Sequence, residues 1–341
     1  MQALNNTFSR SISYTGEIVL IDGLTGSGKT IAMRCFSAVK NSHPPIFKYV
    51  LEQVCIANYF GKISKDAGVS LVKLIIDQAK YDLAISREIN FRFADLSSIL
   101  KFPNRLRYLQ NLFKDDTQIK PESFMKILPI VVHQLHKTSF LIDEALDTKP
   151  KRIICMRHPI YLYDHWLSYL HNHGKNPRDF TLTFAYGSEE LPWFSFEQKK
   201  LYSKSNNEDR TAIAIASLTN HFLDFVSIMD DENTIVMDFE KFVLMPETYI
   251  NNFHKKISNL DFSQISYILK KEQIPRKSIS DGKSMKIYKR YNSEILKSGL
   301  ENSIEFNSHN TRINKMLSKP VRTFFQKSCE RYISTFGNWN Y

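Results

Sequence analysis

Residues Glu17 to Thr30 read EIVLIDGLTGSGKT, and this stretch decides the fold. EIVLID is a short apolar run rich in β-branched residues, the pattern of a strand buried on both faces. GLTGSGKT matches G-x-x-x-x-G-K-T in full, and IAMRCFSAVK follows it with helical spacing. Strand, glycine loop and helix in that order are the setting in which such a loop holds phosphate. Gly23, Gly26 and Gly28 let the backbone curl so that successive N–H groups face an anion, with Thr25 and Ser27 in the same cradle. Lys29 adds a mobile positive charge, Thr30 offers a hydroxyl to a metal or a phosphate oxygen, and the helix starting near Lys29 turns its positive end to the same point.

Outward from the loop, apolar residues recur three and four apart from Tyr49 to about Ser86, which predicts at least two helices over the sheet. MKILPIVVH, ending at His133, and KRIICM, Lys151 to Met156, are further continuous apolar runs that read as buried strands. Gln134 to Pro150 lie between them and are long enough for the crossover that parallel neighbours need. A fourth strand is expected at Asn233 to Glu240, after a helix from about Arg210 to Met229, and the tail from Pro246 reads as mostly helical and basic. The expected fold class is α/β, a P-loop-type parallel β-sheet flanked by helices, with helical insertions and a helical C-terminal region. A single domain over residues 1–341 is expected, with insertions at about 45–120 and 175–225. Residues 176–205 mix turn formers with aromatics and lack a clear period, as in an insertion that shapes an acceptor pocket.

The 43% hydrophobic and 13% aromatic fractions, with only eleven glycines and twelve prolines, are those of a globular chain without low-complexity linkers. The start is polar and no apolar run of bilayer-crossing length is evident, so a cytoplasmic protein without a transmembrane segment is expected. Cys35, Cys55, Cys155 and Cys329 are too scattered for a disulfide framework or clustered zinc ligands and read as buried thiols. A formal charge of +11, from 46 basic and 35 acidic residues, attracts polyanions. Nucleic acid is not expected among them, because the basic residues are spread along the chain without a reader motif.

A loop with intact lysine and threonine normally serves ATP or GTP, and such enzymes also hold magnesium on a carboxylate at another strand end. FLIDE, Phe140 to Glu144, is the best textual match, but only Ala145 to Pro150 separate it from KRIICM, too few for a parallel crossover. FLIDE therefore belongs on the crossover helix, which leaves Asp22 and Asp238 as alternative carboxylates, each more simply a cap or a surface acid.

The order of segments resembles the sulfotransferase family over most of the chain. The glycine loop, the strand ending in His133, ICMRHP (Ile154 to Pro159), and the pair VMDFEKFVLMPE and PRKSISDGK carry the resemblance. It implies that His133 is the catalytic histidine and that Arg157, Arg276 and Lys277 clamp the 3′-phosphate of 3′-phosphoadenylyl sulfate, the sulfuryl donor. Lys29 stands where the family usually has threonine and would meet the phosphosulfate during catalysis. His165 stands where the family has a serine, which Ser168 replaces, and the tryptophan after the Arg-Lys pair is absent. The implied reaction transfers a sulfuryl group to an acceptor hydroxyl, on a carbohydrate or a lipid head group, with no redox cofactor or obligatory metal. The alternatives are an ATP-dependent P-loop kinase, using ATP with magnesium, or another P-loop nucleotide-binding protein.

His165, His171 and His173 lack the carboxylate or cysteine partners of a metal site and read as helix surface. Arg87 and Arg92 read as salt-bridge partners.

Overall fold

The computed structural model describes residues 7–10, 12, 13, 16–39, 43–87, 90–93, 95, 98–102, 105–113, 115, 130–132, 136–175, 177, 179–229, 232–257, 261–279 and 301–337. Its centre is a four-stranded parallel sheet in the order β2-β1-β3-β6, with β1 at Val19–Gly23, β2 at Ile130–Val132, β3 at Lys151–Met156 and β6 at Thr234–Asp238. The chain is α/β, as the sequence pattern requires. Ile21 pairs with Val132 on one side and Ile153 on the other, and Ile153 pairs with Ile235.

Strict alternation divides the sheet into two apolar faces. Val19 and Ile21 join Ile153, Ile235 and Met237 beneath helix Lys29–Phe36 and helix Glu247–Lys256. Ile18 and Leu20 face the other way, against Leu51, Cys55, Val72 and Ile76 of helices Tyr49–Tyr59 and Lys65–Ala84. Ile154 and Met156 extend that second face into the largest core, shared with helices Pro159–His171, Asn207–Ile228 and Lys319–Phe336. All four cysteines are buried, as the sequence suggests.

The crossover from β2 to β3 passes through a 3₁₀ turn, His136–Ser139, and helix Phe140–Ala145, so FLIDE is helical. Asp143 pairs with Arg152 at 2.6 Å and Glu144 with Lys65 at 2.9 Å, which fixes both acids in structural ion pairs.

Three sequence expectations change. The fourth strand stops at Asp238, because that side chain accepts the N–H groups of Glu240 and Lys241 and so caps helix Phe239–Leu244. Residues 176–205 contain a hairpin, β4 (Thr183–Tyr186) and β5 (Glu189–Pro192), with Gly187 at φ 63° between the strands. A segment of bilayer-crossing length also exists: helix Asn207–Ile228 is long and apolar enough by composition, and 72% of its most apolar window is buried within the fold.

Candidate nucleotide-binding site

The site starts at the carboxyl end of β1, where ligands of open α/β sheets bind. Gly28 has φ 98°, and a Cβ added there would collide with the ring of Phe239, so glycine is required both by conformation and by space. Gly26, at φ 90°, lies against His165, whose Cδ2 would be 3.2 Å from an added Cβ. The Ser27 N–H donates to the Leu24 carbonyl at 3.0 Å, which closes the turn, and the N–H groups of Ile31 and Ala32 donate to Gly28 to start the helix. The first N–H groups of a helix have no partner within it and suit an anion. Thr30 is half-buried at that helix start. Lys29 folds back so that its ammonium donates to the Gly23 carbonyl. Burial lowers its pKa, against the opposing pull of Asp22, Cys155 and Glu52.

Arg157 leaves the end of β3 and spans from the loop to the segment after β6. Its Nη1 donates to the Gly26 carbonyl at 3.0 Å, and its guanidinium carbon lies 4.6 Å from the centroid of Phe239. The guanidinium carbon of Arg276 lies 5.6 Å from the same ring. Arg276 is pinned through its N–H, which donates to the Val243 carbonyl at 2.7 Å, and its Nη1 donates to Ile279. Lys277 follows it and is exposed. Two cationic side chains far apart in sequence therefore converge on the aromatic ring that packs against Gly28, and such ring faces attract guanidinium groups.

Helix Pro159–His171 closes the site from another side. It opens with Pro159 in its first turn and with His158 as N-cap, whose Nδ1 accepts the Ile160 N–H at 3.2 Å. The helix turns Leu162, His165 and Trp166 inward, and Trp166 Nε1 donates to the Thr25 carbonyl at 2.9 Å. The expectation of a surface His165 is thus corrected: the residue is 4% exposed, because it shares the helix face of Leu162 and Trp166. Burial, then Arg157 and Lys29, lowers its pKa to about 4, so it is neutral at pH 7. Ser168 is half-buried one turn further along, and its carbonyl accepts the Asn172 side chain. The spacing of Leu162, His165, Trp166 and Tyr169 was the signal for this face; reading the three histidines as a group concealed it.

His133, the residue after β2 in sequence, lies outside the described residues. Asp22 accepts the Gly23 N–H at 2.7 Å and Asp238 caps a helix, so both act as local caps. Arg87 lies over the Tyr81 ring and Arg92 pairs with Asp95. His173 lies 3.5 Å from Asp179, and His171 is exposed at the helix end. Among the described residues no group of three metal-ligating side chains occurs.

Phe239, Glu240, Trp166 and Tyr332 belong to this neighbourhood and were not legible as site residues in sequence. Glu240 is 0% exposed, receives the His158 N–H at 3.3 Å, and lies 3.7 Å from Arg157 Nε.

No family model and no curated protein sequence matches the chain. Among solved structures it is similar to the sulfotransferase domain from the Synechococcus PCC 7002 olefin synthase, at 11% identity and a TM-score of 0.40, covering 89% of this chain and 96% of that one. It is similar to the sulfotransferase domain from the curacin biosynthetic pathway at 11% identity and a TM-score of 0.38, covering 88% and 96%. A third similar structure is the sulfotransferase STF1 from Mycobacterium tuberculosis H37Rv, at 8% identity and a TM-score of 0.35, covering 84% and 77%.

Proposed function

We propose that this chain is a sulfotransferase-like enzyme that moves a sulfuryl group from 3′-phosphoadenylyl sulfate to an acceptor hydroxyl. The observation that carries the reading is the convergence of Arg157 and Arg276 on Phe239, beside Gly28 of the phosphate loop. A nucleotide with phosphates at both its 3′ and 5′ positions needs cations in two places, and the fold supplies Lys29 in the loop and an arginine pair next to it. ATP carries all its phosphates on one side and makes no use of that pair.

On this reading the loop residues Gly23, Thr25, Gly26, Ser27, Gly28, Lys29 and Thr30 cradle the 5′ end, while Arg157, Ser168, Arg276 and Lys277 hold the 3′-phosphate. Lys29 exchanges its bond to the Gly23 carbonyl for one to the transferring group and offsets the charge that develops there. His133 takes the proton of the acceptor hydroxyl as the new sulfur–oxygen bond forms. The two acids of FLIDE lie in ion pairs with Arg152 and Lys65, which counts against a magnesium-dependent kinase. We further propose that residues 1–341 act as one domain, with insertions at about 45–120 and 175–225.

The test compares thermal stabilisation by adenosine 3′,5′-bisphosphate with that by ATP plus magnesium, since a ligand that binds the native state stabilises it by mass action. Greater stabilisation by the bisphosphate is expected. Greater stabilisation by ATP with magnesium replaces this reading with a P-loop kinase.

A further inference from the structure

Glu240 sits in the first turn of helix Phe239–Leu244 and is wholly buried, a place where a carboxyl group is costly unless it is bonded. Both its oxygens lie 3.3 Å from the His158 N–H, and the Tyr332 hydroxyl donates to Oε2 at 3.3 Å. Tyr332 is itself fully buried and belongs to the C-terminal helix Lys319–Phe336; its hydroxyl also lies 3.5 Å from Asp238 Oδ1. Oε1 of Glu240 lies 3.7 Å from Arg157 Nε, on the side of the guanidinium away from the Nη1 bond to Gly26 in chemical terms: one end of the fork meets the loop, the other the carboxyl.

Arginine is a long side chain whose value as a ligand depends on being held in one orientation before the ligand arrives. Here Gly26, Phe239 and Glu240 fix it, and Glu240 is fixed in turn by Tyr332 and by the backbone of His158. Burial, followed by Asp238, holds Glu240 well above the ordinary carboxylate range, against the opposing pull of Arg157. A carboxyl group kept largely neutral orients the arginine by hydrogen bonding and leaves the guanidinium charge for a ligand.

We propose that Glu240 is a positioning residue for Arg157 and that Tyr332, from the C-terminal helix, holds Glu240 in the orientation that aims the arginine at the 3′-phosphate of the donor. The proposal rests on the reading of Arg157 as a 3′-phosphate ligand. It gives the last helix of the chain a part in nucleotide selection, although that helix contributes to the site only through buried contacts.

The experiment measures by calorimetry the dissociation constants of adenosine 3′,5′-bisphosphate and adenosine 5′-monophosphate for the full chain and for Arg157→Ala, Glu240→Ala, Glu240→Gln and Tyr332→Phe. The ratio of the two constants reads the 3′-phosphate contact alone. Glu240→Ala and Tyr332→Phe are expected to lower the preference for the bisphosphate about tenfold, the scale of a lost hydrogen bond to a charged group, with the monophosphate constant unchanged. Glu240→Gln, which keeps the hydrogen-bonding shape, is expected to retain the preference within about threefold. A purely structural role weakens both nucleotides together and leaves the ratio in place, which overturns the proposal. If Glu240→Ala does not fold, Tyr332→Phe, which removes one oxygen atom, decides by the same ratio. A wild-type protein with no preference for the bisphosphate overturns the donor reading and this proposal with it. Loss of the preference in Arg157→Ala, with its retention in Glu240→Ala and Tyr332→Phe, overturns this proposal alone.

Discussion

Trp166 Nε1 donates to the carbonyl of Thr25 at 2.9 Å, so the helix that follows β3 is tied to the glycine loop that follows β1. The bond joins residues at the carboxyl ends of two adjacent parallel strands, and it holds the loop from outside as its glycines shape it from within. Trp166→Phe keeps the ring in the core beside Phe194 but removes the donor. A stability loss of about 1 kcal/mol is expected, together with severalfold weaker nucleotide binding. Denaturant unfolding and calorimetry check both, and unchanged nucleotide affinity would show that the tether has no bearing on the loop.

Lys29→Ala removes a cation from a site whose backbone amides offset only part of a phosphate charge. Binding of adenosine 3′,5′-bisphosphate is expected to weaken about tenfold or more. The unliganded protein should lose little stability, because burial already disfavours this ammonium. Equal affinity for wild type and variant removes the loop from the nucleotide site.

His133→Ala tests the proposed base. Turnover should fall by about 10²- to 10⁴-fold, the usual contribution of a positioned general base, while the donor dissociation constant stays near its wild-type value. A folded variant with near-normal turnover eliminates the assignment; a general loss of stability with no specific loss of rate assigns the residue to structure.

The buried histidines make stability depend on pH in a defined window. His165 is neutral in the folded protein, with its pKa lowered from 6.5 to about 4, chiefly by burial and then by Arg157 and Lys29. His158 is lowered to about 3 by burial. In both cases the unfolded chain binds more protons between the two pKa values, so stability rises with pH there. The contribution is fully present above pH 6.5 and is lost as the pH falls toward 4 for His165 and toward 3 for His158. For His165 it amounts to about 3 kcal/mol. Chemical denaturation at stepped pH should show the decline, and His165→Gln should flatten part of it. A wild-type profile that is level from pH 6.5 to 4 contradicts the neutral, buried state.

Much of the fold was legible because its signals are local. The run EIVLID, the loop GLTGSGKT and the helical spacing after it each encode their own conformation, and β1, the loop and helix Lys29–Phe36 follow them. KRIICM and the crossover were equally readable, and a length argument placed FLIDE on a helix, where it is found. The errors fell where a local pattern met a contact from elsewhere. Phe239 and Glu240 continue the apolar run of β6 in sequence, but Asp238 caps a helix there, and the turn it makes carries Phe239 under Gly28. His165 belongs to a cluster of polar aromatics that looks like surface, until the helix packs that face on the loop.

The sequence by itself determined a parallel α/β sheet with a phosphate-type loop at the end of its first strand, since strand alternation, glycine freedom and helix spacing act over a few residues. The tertiary structure alone decided which side chains surround that loop. Arg157, Phe239, Arg276, His165 and Tyr332 come from five separate elements, and their meeting depends on strand order and on how the helices pack across the sheet. Those are long-range choices, fixed by burial of the two apolar faces rather than by any neighbour in the chain.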